Sequence, residues 1–188
     1  MPATRPLSVL LIRHAESVAP GISGFDEYTR PLTAKGMRDA SQLCDKLSSM
    51  RIDAVYSSPY LRARQTIEPI AQPHGLAIET VEDLRERLLS PVDLPDWRAH
   101  LKRSWNDFDY ALPGGGTSRD AQARVVRVLD MVATRYAGGT VILASHGNLI
   151  ALALSAFIAS IDYAFWESIP MPAVFTLIRE ETGWKVSR

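Results

Sequence analysis

Two short apolar runs, Val9 to Ile12 and Val141 to Ala144, each pass without interruption into a histidine clause, Arg13-His14 after the first and Ser145-His146 after the second. Unbroken aliphatic runs of this length are typical of strands buried on both faces, and such strands belong to parallel sheets covered by helices. A chain built on them is an α/β fold. Each histidine then stands where a strand ends and a loop begins, which is where open α/β sheets bind ligands. A histidine beside an arginine, brought against a second histidine, has a direct use: a ring nitrogen attacks phosphorus while the cations neutralise its oxygens.

The rest of the chain alternates in the same way. Thr33 caps a predicted helix whose apolar positions are Met37, Ala40, Leu43, Cys44, Leu47 and Met50. Ala54 to Tyr56 reads as a second strand, followed after Pro59 by a helix carrying Ala63, Ile67, Ile70 and Ala71, which Pro69 should kink or restart. Leu76 to Thr80 reads as an edge strand. Residues 88 to 112, rich in Pro, Asp and Trp, form the least regular and most lid-like stretch, with one helix around Trp97 to Trp105. Ala121, Val125, Val128, Leu129 and Val132 mark the inner face of the next helix, which ends near Gly138-Gly139. Leu149 to Ile161 reads as a buried helix, and Val174 to Arg179 with Trp184 to Val186 as a hairpin on the sheet edge. The expected architecture is a doubly wound, mostly parallel sheet with helices on both faces, in one domain over residues 1–188.

Composition narrows the partners. With 188 residues, 46% of them hydrophobic, the chain suits a well-buried core. Lys plus Arg and Asp plus Glu balance at 21 each, so no global charge draws it to nucleic acid or to an anionic membrane. The one cysteine, Cys44, excludes an intramolecular disulfide and a thiolate zinc cluster, which suits a reducing cytoplasm. Met1 to Ser8 has no secretory pattern, and Leu149 to Ile161 is too short to span a bilayer.

Four clauses occur in order: Arg13-His14-Ala15-Glu16, Ser57-Ser58-Pro59-Tyr60-Leu61-Arg62-Ala63-Arg64-Gln65-Thr66, Leu84-Arg85-Glu86, and Ser145-His146-Gly147. Together they resemble the pattern of the histidine phosphatase superfamily, the phosphoglycerate mutase-like enzymes, over nearly the whole chain. The resemblance implies a three-layer α/β fold, no metal and no cofactor, and a small phosphate ester as partner, with a homodimer left open. It makes His14 the nucleophile, Arg13 and Arg62 the phosphate clamps, and His146 a hydrogen-bond donor to the phosphoryl group. Glu86 is the implied general acid, with Glu82 and Asp83 as competing carboxylates, and Glu16 orients the site. A helix starting at Gly147 would point its N-terminus at the same pocket. Ser23 and Gly24, after His14, offer a hydroxyl and a backbone donor, or serve only as turn residues. Arg64, His74 and His100 are read as surface residues.

The chain departs from the family pattern on the substrate side: Ala15 replaces a glycine, Pro20 an asparagine and Gly116 a glutamate, and Arg87-Leu88-Leu89-Ser90-Pro91 replaces a glycine- and tryptophan-containing segment. The leading expectation is a metal-independent phosphomonoesterase acting through phosphohistidine. A cofactor-dependent phosphoglycerate mutase would use the same core, but mutases carry a longer insertion than residues 87 to 145 allow. A noncatalytic phospho-ligand or protein-binding module should have lost part of the core, yet Arg13, His14, Arg62, Glu86 and His146 are all present.

Overall fold

The computed structural model describes residues 5–22 and 24–187. In chain order its elements are β1 (Leu7–Arg13), α1 (Ala34–Leu47), β2 (Ala54–Ser57), α2 (Leu61–Ala71), β3 (Ile78–Thr80), α3 (Trp97–Asn106), α4 (Ser118–Arg135), β4 (Gly139–Ser145), α5 (Gly147–Ser155), α6 (Tyr163–Ser168), β5 (Ala173–Glu180) and β6 (Gly183–Ser187). The sheet order is β3-β2-β4-β1-β5-β6. The first four strands of that order run parallel, and β5 and β6 add an antiparallel hairpin at the edge.

The two apolar runs are the central pair, and side-chain alternation explains why they are apolar throughout. Val9 and Leu11 of β1 join Val141 and Leu143 of β4 on one face, whereas Leu10 and Ile12 join Ile142 and Ala144 on the other. Helices α3, α4 and α5 cover the first face, and α1 and α2 cover the second. At about 1.5–3 kcal/mol for each fully buried aliphatic side chain, this pair is a firm base for whatever its ends carry. The chain leaves β1 toward α1 on one face and β4 toward α5 on the other. A crevice therefore opens between their carboxyl ends, at the switch point where such sheets bind ligands.

Some elements differ from expectation. Thr33 caps α1, its hydroxyl accepting from the Gly36 amide at 3.0 Å, but the inward row is Gly36, Ala40, Leu43 and Leu47. Met37 is 47% exposed, because the helix start is pressed onto the loop after β1 through position 36: a Cβ there would lie 2.0 Å from the Glu16 carbonyl oxygen. Met50 falls beyond the helix end, and Cys44 is half-buried with its thiol donating to the Pro69 carbonyl at 3.0 Å. Helix α2 runs through Pro69 to Ala71 before tightening into a 3₁₀ turn at Gln72–His74.

The expected edge strand shortens to Ile78–Thr80, and the expected helix over Leu149 to Ile161 stops at Ser155. Gln122 from α4 donates to the Leu152 carbonyl at 3.1 Å and to Ser155 Oγ at 2.9 Å, so side chains take the polar groups of its last turn. Within 88–112, Leu101 and Trp105 of α3 are buried in the core, while Leu88 and Val92 lie outside. His100 is half-buried, its Nδ1 2.6 Å from the Tyr110 hydroxyl, which departs from a surface reading. Among the described residues, no helix is long and apolar enough to cross a membrane.

Candidate active site

Arg13 and Ser145 are register partners at the ends of β1 and β4, so His14 and His146 emerge side by side one residue further on. Their ring centroids are 5.1 Å apart. His14 is buried, and its ring hydrogen bonds define its tautomer. Arg62 Nε donates to Nε2 at 3.3 Å, and since arginine has no acceptor, Nε2 carries the lone pair. Nδ1, 2.7 Å from the Ala15 carbonyl oxygen, then carries the proton and donates it. Burial first, then the charge of Arg62, lowers the pKa of His14 to about 3, so the ring is neutral at pH 7. A neutral imidazole with its outer nitrogen unprotonated is a nucleophile.

Helix α2 supplies Arg62 and fixes its surroundings. Arg62, Gln65 and Thr66, at i, i+3 and i+4, share one face. Thr66 Oγ1 accepts from the Ala15 amide at 2.9 Å, and Gln65 Oε1 accepts from the Leu32 amide at 2.9 Å. The motif thus holds both segments flanking the loop after His14. Arg64 faces outward and is exposed, as read from the sequence.

His146 is fully enclosed, and burial followed by the neighbouring His14 lowers its pKa well below the usual value. Its Nε2 lies 2.8 Å from Ser58 Oγ, which accepts from the Tyr60 amide at 3.3 Å. When the Ser58 hydroxyl donates to Nε2, Nδ1 carries the ring proton. Nδ1 is buried and has no partner among the described residues, and the same is true of Nε of Arg13. Unpartnered buried nitrogens on Arg13 and on His146, whose ring stands against that of His14, are the polar lining expected of an anion site.

Arg13 is held by the Ile169 carbonyl, which accepts from Nη1. Its guanidinium lies flat against Gly147, where a Cβ would stand 2.9 Å from Cζ and Nε. Gly147→Ala is therefore expected to push Arg13 out of line, costing about 1–3 kcal/mol of stability by overpacking. It should lower kcat/KM by ~10²-fold through misplacement. Thermal melts and phosphate-release kinetics on the same preparation check both.

Glu86 follows Leu84, whose carbonyl accepts from Ser145 Oγ at 2.7 Å and so ties this segment to the end of β4. Its carboxylate accepts three backbone N–H groups: Asn148 on Oε2 at 3.0 Å, and Leu149 at 3.0 Å and Arg87 at 2.9 Å on Oε1. Two of these are orphan amides of the first turn of α5. The helix N-terminus expected to face the pocket is therefore capped by Glu86, while Gly147 makes room for Arg13. Beyond Glu86 lies a cavity of about 320 Å³, lined in part by Arg87, Arg124 and Gly114 to Gly116. Of the competing carboxylates, Glu82 accepts from the Tyr28 hydroxyl at 3.2 Å and Asp83 pairs with Arg127 at 3.4 Å, both toward solvent.

Glu16 Oε1 accepts from the Thr33 hydroxyl at 2.8 Å, joining the loop after β1 to the α1 cap. Gly24 sits in an exposed turn at φ 94°, and Ser23 lies outside the described residues. The sequence reading missed Glu27, which bonds Arg62 from the intervening loop, and Arg30, which bonds Glu27. Their only local signal is an acid and a base three residues apart ahead of Pro31-Leu32-Thr33. Among the described residues, no group of three or more His, Cys, Asp or Glu side chains is disposed to hold a metal ion.

The match to the histidine phosphatase superfamily (branch 1) runs over residues 9–188, and the chain belongs to that superfamily. It is 35% identical over 152 residues to the uncharacterised protein Rv0525 of Mycobacterium tuberculosis, covering 73% of this chain and 72% of that one. To the adenosylcobalamin/alpha-ribazole phosphatase of Escherichia coli K12 it is 24% identical over 188 residues, covering 90% and 92%. The solved phosphoglycerate mutase of Bacillus anthracis superposes with a TM-score of 0.78 at 16% identity, over 98% of this chain and 92% of that one. The fold is phosphoglycerate mutase-like.

Proposed function

We propose that the chain is a metal-independent phosphomonoesterase that hydrolyses a small phosphorylated metabolite through a phosphohistidine on His14. The observation that carries this reading is the unprotonated Nε2 of His14, with buried, unpartnered nitrogens on the adjacent Arg13 and on His146, whose ring stands against it. In the first step Nε2 forms a bond to phosphorus as the ester P–O bond breaks, and Glu86 delivers a proton to the departing alkoxide. Arg13 and Arg62 neutralise the equatorial oxygens, the work that guanidinium forks do better than a point charge, and the neutral His146 ring donates a hydrogen bond to one of them. In the second step water attacks phosphorus as the P–N bond breaks, the Glu86 carboxylate takes the proton of the water, and inorganic phosphate leaves with His14 and Glu86 restored. Oε2 of Glu86 accepts one amide, that of Asn148, and so has room to carry the proton as well.

The E. coli phosphatase named above supports hydrolysis. A phosphate-release screen over metabolite phosphates in excess chelator is the test. Turnover is expected to survive chelation and to be inhibited by vanadate, which mimics the transferring group. Loss of activity that magnesium or zinc restores would overturn metal independence. Isomerised phosphoglycerate without phosphate release would identify a mutase, and ligand binding without turnover would identify a binding module.

A further inference from the structure

The mechanism uses the side edge of Arg62, and its other edge is held by a group that the reaction scheme does not mention. Nη1 of Arg62 donates to the main-chain carbonyl of Glu27 at 2.7 Å, and Nη2 donates to Glu27 Oε2 at 2.9 Å. The same carboxylate is gripped by Arg30, from Nε to Oε1 and from Nη2 to Oε2, each at 3.1 Å. Arg30 is only 8% exposed, and its Nη1 donates to Ser17 Oγ at 2.7 Å and to the Val18 carbonyl at 2.6 Å. A chain of bonds therefore runs from the loop after β1, through Arg30 and Glu27, to Arg62 and the nucleophilic nitrogen of His14.

A guanidinium presents two bidentate edges, one formed by Nη1 with Nη2 and the other by Nε with an Nη. Glu27 occupies the first, which leaves the second turned toward Nε2 of His14. We propose that Glu27 is a positioning residue for the phosphoryl group: by holding one edge of Arg62 it aims the other at the point where His14 attacks. This rests on the phosphatase reading above and adds what orients the clamp. The charges support it. Partial burial pushes the Glu27 carboxyl up, but Arg30 and Arg62 outweigh it and hold its pKa below the usual carboxylate value, so it is ionised. Arg30 offsets that negative charge, leaving the charge of Arg62 for the substrate. Without the Glu27 carboxylate, Arg62 keeps its bond to the main-chain carbonyl but loses the charged one that fixes its orientation, and misplacement by about 1 Å costs on the order of 10²-fold in rate.

The test is a double-mutant cycle read by calorimetric binding of inorganic phosphate, with Glu27→Gln, Arg62→Ala and the double variant beside the wild type. Gln is isosteric with Glu and the Glu27 side chain is 46% exposed, so the fold is expected to persist, which a thermal melt verifies. Glu27→Gln should weaken phosphate binding about tenfold and lower kcat/KM for p-nitrophenyl phosphate by ~10²-fold. In the Arg62→Ala background it should change phosphate binding by less than about twofold. Equal or tighter binding by Glu27→Gln would show that the carboxylate competes with phosphate and would overturn the proposal. Equal losses in both backgrounds would overturn it too, since Glu27 would then hold the loop rather than Arg62. A wild type that neither binds phosphate nor releases it from esters would overturn the phosphatase reading itself, a result distinct from either.

Discussion

His14→Ala is expected to remove turnover on every phosphate ester, by on the order of 10⁴-fold or more, as loss of a nucleophile does elsewhere. The residual rate is whatever Arg13, Arg62 and His146 achieve by binding alone. The wild type, quenched without acid after mixing with labelled substrate, should yield a phosphoryl adduct that is labile in acid and stable in base. The variant should yield none. The His14 ring, with its pKa at about 3, should also show no titration step by NMR between pH 5 and 8. Full turnover by His14→Ala would refute the covalent mechanism, and an inflection near 6.5 would refute the neutral, desolvated ring. Since Nδ1 is committed to the Ala15 carbonyl, the adduct should form on Nε2.

Glu86→Gln should separate chemistry from structure, because the carboxylate is asked to serve both. As general acid it should matter by ~10²- to 10⁴-fold for alkyl phosphates, whose alkoxides leave poorly unprotonated. It should matter far less for p-nitrophenyl phosphate, whose phenolate leaves without a proton. As the cap of α5 it should matter equally for both, because Gln presents an N–H to backbone amides that now donate to an anion. That loss is about 1–2 kcal/mol and appears as a lower melting temperature. Glu82→Gln and Asp83→Asn, whose carboxylates face Tyr28 and Arg127, should show neither effect. Equal activity losses on both substrates for Glu86→Gln would assign the residue to structure alone. A leaving-group-dependent loss in either neighbour would move the acid there.

Within the reach of a few residues, the sequence alone was enough. Val9 to Ile12 and Val141 to Ala144 had to be central strands because period-two alternation between two covered faces requires every position to be apolar. The Thr33 cap, the inner face of α4 and the terminal hairpin follow from equally local rules, and the linked motifs placed Arg13, His14, Arg62 and His146 around one crevice. What stayed illegible depends on which surfaces meet. Helical spacing offered Met37 and Ala40 equally to the core, and only the approach of Gly36 to the Glu16 carbonyl turned Met37 outward. Apolar continuity carried the last buried helix to Ile161, whereas it stops at Ser155, where Gln122 from another helix and the Ser155 hydroxyl share the Leu152 carbonyl. The same holds at the site, where a glutamate's partners cannot be read from its neighbours in sequence. Glu86 meets the amides of α5 and Glu27 meets Arg62 because the sheet brings distant loops together at its carboxyl edge, and hydrogen-bond geometry over a few ångströms is settled by that packing rather than by any local pattern.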